Sequence, residues 1–263
     1  MKLIAIDLDG TLLTDDKRVT DETKEYLMKL KQMGYIIAIS TGRNLKSAYY
    51  VTEGAPFAHC IISSSGASVF DNLNKKILKK EVIPTEKVKK VSDLYNDDIV
   101  NIEFNDTEFH NKFGKNVIPS EVVNKIDNVE EFLVNKNDIL QLAVSFNDDE
   151  IARKTNEYIK ENIDGLNCYT ARCTYSDHLY IEVLKENISK YSAIEYVARI
   201  LGISNENIIA FGDSENDLTM IKNSGVGVAM ENAGPELKQA AKYITKSNNE
   251  DGVIEFLKLY LWK

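Results

Sequence analysis

A chain of 263 residues with 43% hydrophobic and 28% charged side chains can bury a sizeable core in one or two domains. Its formal net charge of -9 argues against nucleic acid or anionic lipid as a partner, because the pairs Lys75-Lys76, Lys79-Lys80 and Lys89-Lys90 are scattered among acids rather than gathered into a basic face. No apolar stretch approaches the roughly 20 residues of a membrane helix, and Lys2 is followed by too short an apolar run for a secretory leader.

In chain order, KLIAID is a near-continuous apolar run, as in a parallel strand buried on both faces. Thr20 or Asp21 can start a helix through DETKEYLMKLKQMG, with Tyr26, Leu27, Leu30 and Met33 at helical spacing for the core and Gly34 as its stop. YIIAIS reads as a second buried strand, LKSAYYVTEG as a second helix and CIISSSG as a third strand that Cys60 opens from the core. This alternation predicts an open, doubly wound parallel sheet with helices on both faces.

The texture changes near residue 83. Pro84-Thr85-Glu86 starts a helix, and IVNIEFNDTEFH reads as a hairpin turning at Asn105-Asp106. DILQLAVSF and HLYIEVL are half-apolar strands separated by the helix DDEIARKTNEYIKENI. From about residue 188 the first texture returns, with a helix in SKYSAIEYVARILG, a buried strand in NIIAFGD, a helix in ENDLTMIKNSG carrying Met220, and a strand in VGVAM. The expected organisation is an α/β core of residues 1–82 and 188–263, with an α+β unit of residues 83–187 inserted. The cysteines Cys60, Cys168 and Cys173 lack the paired clusters of a zinc site, which favours a cytoplasmic protein with reduced thiols.

Ligands of an open parallel sheet bind beyond the carboxyl ends of its strands. There this sequence places DLDGT, STGR and DSEND. Asp7 and Asp9 alone could form a turn. Together with Asp213 and Asp217 in one crevice, however, they cannot all stay ionised unaided, and a hard cation such as Mg2+ resolves the conflict. Thr41 and the Gly42 N–H offer donors to phosphoryl oxygens, and Lys190 offers a positive charge. Asp7 is then a candidate nucleophile and Asp9, two residues on, a candidate acid and base.

DLDGTLL, STGR, a lysine before a helix and GDSENDLTM, in this order and in these strand contexts, resemble the four motifs of the haloacid dehalogenase superfamily, and the insert resembles the type IIB cap of the Cof-like sugar phosphatases. The resemblance implies a Rossmann-like core and Mg2+-dependent hydrolysis of small phosphate monoesters, sugar phosphates in particular, with the cap closing over the core. By motif position, Asp7, the backbone carbonyl of Asp9 and Asp213 would hold Mg2+, with Asp217 behind them. Leu8 through its backbone, Thr41, Gly42, Lys190 and Asn216 would contact phosphate. Arg43 either supports the site from behind or pairs with an acid of the core. Tyr191 stands where the family usually has glycine, and Lys185 is the nearest substitute for Lys190. Competing readings are a phosphomannomutase-like transferase and a receiver-like phospho-accepting switch. His59, His110 and His178 read as surface or packing residues, while Arg172 and the YSDH stretch are candidates for specificity.

Overall fold

The computed structural model of the protein describes residues 1–94, 99–104, 107–110, 123–125, 138–146, 148–172 and 179–262; for 99–104, 107–110, 123–125, 145 and 171–172 it describes the backbone alone. Two compact units are present: Met1–Lys79 with Ser189–Lys263, and Lys80–Ile188.

Strand β1 (Leu3–Ile6) is fully buried. Helix α1 (Asp21–Gln32) starts where the Thr20 side chain accepts from the Thr23 N–H, and it carries Asp21 and Glu22 at its positive end. Its Leu27 and Leu30 enter the core. Met33 does not, contrary to the spacing argument: it lies past the last helical turn, where the chain leaves the apolar face, and is 48% exposed. Strand β2 (Ile36–Ser40), helix α2 (Leu45–Val51) and strand β3 (Cys60–Ser63) follow. His59 acts in packing, its Nδ1 accepting from the Ile37 N–H at 3.1 Å. Next comes a hairpin that the sequence reading did not anticipate. Strand β4 (Ser68–Asp71) turns back antiparallel on β3, and β5 (Lys76–Lys80) extends the edge. The outer strand, KILKK, buries no residue fully and so shows no clean alternation.

The second unit contains α3 (Thr85–Asp93), β6 (Ile99–Phe104), β7 (Thr107–His110), β8 (Val123–Lys125), β9 (Ile139–Ser145), α4 (Asp149–Asn162), β10 (Leu166–Arg172) and β11 (Leu179–Lys185). The strands form one sheet in the order β10-β11-β9-β6-β7-β8, in which only the β7–β8 pair is parallel. Val88 and Val91 of α3 and Ala152 and Ile159 of α4 share a buried cluster with Leu142, Val144, Ile181 and Val183 of the sheet. The expected turn Asn105-Asp106, Cys173, the YSDH stretch with His178, and the side chains of His110 and Arg172 lie outside the described residues.

The chain returns to the first unit through α5 (Lys190–Ile200), whose Ser189 and Ser192 cap each other. Then come β12 (Ile208–Gly212), a single tight turn at Glu215–Asp217, α6 (Leu218–Asn223), β13 (Val226–Ala229), α7 (Pro235–Ala240), β14 (Tyr243–Ile244) and α8 (Gly252–Leu261). The eight strands lie in the order β14-β13-β12-β1-β2-β3-β4-β5, with β14 to β3 all parallel. Alternate residues feed two cores. Ile4, Ile6, Ile39 and Phe211 pack with α1, α2 and α8 on one face. Leu3, Ala5, Ala38 and Ile62 pack with α5, α6 and α7 on the other. From β1 the chain winds toward β2, and from the adjacent β12 it winds the opposite way toward β13, so the sheet reverses between these two strands. A crevice opens at their carboxyl ends. Among the described residues no helix is long and apolar enough to cross a membrane.

Phe211 sits fully buried at the centre of this sheet, edge-on to Phe256 with ring centroids 5.6 Å apart. Phe211→Ala is expected to lower unfolding free energy by about 3–5 kcal/mol in urea titration; a loss under about 1 kcal/mol would contradict this packing.

Candidate active site

Asp7 is the last residue tied to the sheet, its N–H donating to the Phe211 carbonyl at 3.1 Å. The chain then curls tightly, and the Leu8 carbonyl accepts from the N–H groups of Thr11, Leu12 and Leu13. The Leu8 side chain is buried in the core, so this residue can serve a ligand only through its backbone. Gly10 has φ of +72°, and a Cβ there would lie 2.2 Å from Asp213 Oδ2. Only glycine permits this contact between the loops after β1 and β12. Thr11 Oγ1 completes it, donating to Asp213 Oδ1 at 3.1 Å.

Lys190 opens α5 and is 1% exposed, a rare position for a lysine. Its Nζ reaches Asp7 Oδ1 at 2.7 Å and Asp217 Oδ1 at 2.6 Å. Burial alone would lower the ammonium's pKa, but Asp217 and Asp7 overcome it and push the value up, so Lys190 stays charged. Lys185, the alternative candidate, instead pairs with Glu81 in the inserted unit at 2.7 Å. Tyr191, where glycine was expected, is accommodated with its ring against the apolar cluster and its hydroxyl on Asn205 Oδ1 at 3.3 Å. The close approach falls on another glycine. At Gly66, φ +106°, a Cβ would meet the Ser189 carbonyl oxygen at 2.2 Å.

Asp217 uses both carboxylate oxygens: Oδ1 takes Lys190, and Oδ2 accepts from the N–H groups of Asp213 and Ser214, each at 3.0 Å. Asp217 therefore orients the loop after β12. Ser214 Oγ also donates to Asn216 Oδ1 at 2.8 Å, placing buried Asn216 in the same turn.

Asp9 points to a different set of partners. Arg43 grips it with two bonds, Nε to Oδ2 at 2.6 Å and Nη2 to Oδ1 at 2.8 Å, and Lys17 Nζ adds a third at 3.0 Å. Burial pushes this carboxyl up, yet Arg43 and Lys17 prevail and hold it at about 2. Arg43 does pair with an acid, but that acid is Asp9 of the site and not an acid of the core, so its two readings meet in one contact. Thr41 is buried, its Oγ1 accepting from the Arg43 N–H at 3.2 Å, with the half-buried Gly42 between them. This loop is clamped from the turn that follows β3, where the Ser64 and Ser65 N–H groups donate to the carbonyls of Arg43 and Thr41. Sequence reasoning missed Lys17, Thr11 and this serine clamp. Lys17 sits in a non-repeating turn with φ +59°, where no periodicity marks it.

Asp7, Asp213 and Asp217 bring carboxylate oxygens within 4.8 Å of one another. One lysine does not balance them. Burial, and then Asp217, push the Asp213 carboxyl up to about 7, and burial raises Asp7 well above its ordinary value despite Lys190. An all-oxygen donor set carrying excess negative charge fits a hard divalent cation.

The haloacid dehalogenase-like hydrolase family matches residues 4–257. A 5-amino-6-(5-phospho-D-ribitylamino)uracil phosphatase of Bacillus subtilis is 31% identical over 98% of this chain and 95% of its own length. A second Bacillus subtilis phosphatase of that name is 30% identical over 98% and 97%. Among solved structures, a phosphatase of the haloalkanoate superfamily from Bacteroides thetaiotaomicron superposes with a TM-score of 0.82 at 26% identity, covering 98% of this chain and 94% of that one. The chain belongs to the haloacid dehalogenase-like hydrolase family and is an enzyme of the phosphatase kind within it.

Proposed function

We propose that this chain is a Mg2+-dependent phosphatase of small phosphate monoesters that works through an aspartyl-phosphate on Asp7. The observation that carries this reading is the position of the Asp7 carboxylate, buried at the sheet's reversal point, anchored through one oxygen by Lys190 and adjacent to Asp213. The other oxygen attacks phosphorus, the bond to the ester oxygen breaks, and the alcohol departs with a proton from Asp9. Asp9 then takes a proton from the water that attacks phosphorus and releases Asp7. Arg43 and Lys17 keep Asp9 ionised at rest, so in this reading the substrate's own charge competes for those cations and Asp9 takes up from solvent the proton that it then passes to the departing alcohol.

Asp7, the Asp9 carbonyl and Asp213 would hold Mg2+, with Asp217 behind them. The ion would supply positive charge to neutralise the carboxylates and the phosphoryl oxygens. The Leu8 backbone, Thr41, Gly42, Lys190 and Asn216 are assigned to the phosphate. The inserted unit is assigned the role of a type IIB cap that selects the leaving group. Relatives named for a ribityl phosphate support a phosphorylated sugar or polyol as substrate.

Phosphate release from a panel of sugar phosphates, polyol phosphates and an aryl phosphate tests the reading. Turnover should require Mg2+, stop with chelator and vanish in Asp7→Asn. Release by Asp7→Asn at the native rate would sink the assignment. A stable phosphoryl label on Asp7 without release would point to a switch.

Metal and pH should also be linked. Without metal, the raised Asp213 carboxyl costs no stability below its ordinary value of 3.8; the cost grows as pH rises and is complete above about 7. A cation binds the ionised form, so the rise in melting temperature on adding Mg2+ should be larger near pH 8 than near pH 5. A shift independent of pH would place the ion elsewhere.

A further inference from the structure

Asparagines from the C-terminal part of the chain grip the loop that follows β1. Asn232, between β13 and α7, donates through Nδ2 to the Gly10 carbonyl at 2.7 Å, and its Oδ1 accepts from the Asn248 N–H at 3.2 Å. Asn248 Nδ2 donates in turn to the Leu13 carbonyl at 2.9 Å and to Asp15 Oδ1 at 3.0 Å. Asn249 pairs with Asp15 in both directions, donating to Oδ2 at 2.8 Å and accepting from the N–H at 3.0 Å. Asn248 is only 5% exposed, so its amide is committed to these partners.

The clasp has a firm base. Its turn is closed by Ser247 Oγ on Glu250 at 2.7 Å. The next residue, Asp251, has φ +53° and accepts from the hydroxyls of Thr20 and Thr23 at 2.6 and 2.8 Å at the start of α1. An amide side chain donates and accepts at once, so Asn232 can pass the position of this turn to the Gly10 carbonyl. Gly10 has no slack on its other side, where it presses on Asp213. A shift of Gly10 toward β12 displaces the Asp213 carboxylate, and a shift away stretches the bond from Thr11 to Asp213.

We propose that Asn232 and Asn248 are positioning residues for the divalent-cation site, setting the Gly10–Leu13 loop against Asp213 so that Asp7 and Asp213 stay within one cation's span. This rests on the reading above that those two carboxylates hold the cation. Neither asparagine touches substrate or metal in this account. They act through the loop.

Binding of Mn2+ alone, followed by electron paramagnetic resonance without substrate, tests the proposal independently of turnover. Native protein, Asn232→Ala, Asn248→Ala, Asp213→Asn and the remote control Asn207→Ala would be compared, with melting temperatures of the metal-free proteins. Partners bonded directly to metal ligands typically change affinity by ten- to a hundredfold; Asn232 and Asn248 act one contact further out, so Asn232→Ala and Asn248→Ala should each weaken Mn2+ severalfold. The control should bind as the native protein does, and the exposed Asn232→Ala should melt within a few degrees of it. If Asn248→Ala fails to fold, Asn232→Ala alone carries the test. Unchanged affinity in Asn232→Ala, or equal weakening in the control, overturns the clasp while leaving the cation site standing. Native affinity in Asp213→Asn, or no Mn2+ binding by the native protein, removes the cation site itself and the clasp with it.

Discussion

The structure turns on one ammonium group set between two buried carboxylates. Lys190 joins Asp7 of the first strand's end to Asp217 of the loop after β12, residues that are 210 positions apart in the chain. With all three groups nearly inaccessible to water, removing the lysine would leave two buried carboxylates without their counter-charge, and breaking a buried pair in this way typically costs about 3–5 kcal/mol. The bridge is therefore a constraint on the fold as much as a part of the site. It joins the end of β1, the start of α5 and the loop after β12 at the point where the sheet reverses.

Two close approaches make that constraint attainable. Gly10 lets the first loop touch Asp213, and Gly66 lets the segment after β3 back onto the Ser189 carbonyl, where α5 begins. The same segment holds the Thr41–Arg43 loop through the Ser64 and Ser65 N–H groups, both residues being left-handed at φ of 51° and 49°. Such conformations cost about 1–2 kcal/mol for a residue with a side chain. They persist here because the surrounding strands dictate them. The carboxylates nearby consequently meet contrasting environments within a few residues. Asp9 is held low by two cations, and Asp213 is driven high by burial and a neighbouring acid.

Much of this arrangement was legible in the sequence, because each group follows or precedes a strongly apolar strand. Asp7, Asp213 and Lys190 could be brought to one edge from the alternation of strands and helices alone, and Leu3–Ile6 and Ile208–Gly212 are the buried strands expected. The rest was hidden for identifiable reasons. The β4–β5 hairpin lies at a sheet edge and carries too little apolar pattern to register. Met33 kept helical spacing one residue beyond the helix. Lys17 and the asparagines at 232, 248 and 249 sit in turns, where spacing says nothing about contacts more than 200 residues distant. Arg43 was visible as a candidate, but its two-pronged hold on Asp9 required the register between the loops after β1 and β2.

The central claim is that the buried Asp7 carboxylate is the group that meets phosphorus, beside a cation held by Asp213. A crystal structure of the protein grown with Mg2+ and beryllium fluoride, a mimic of a phosphorylated carboxylate, addresses it directly. The account predicts a trifluoroberyllate bonded to an Asp7 carboxylate oxygen, a fluorine facing Lys190 and Mg2+ within reach of Asp213. Beryllium on Asp9 or Asp217, or an adduct at Asp7 with no cation near Asp213, would contradict it.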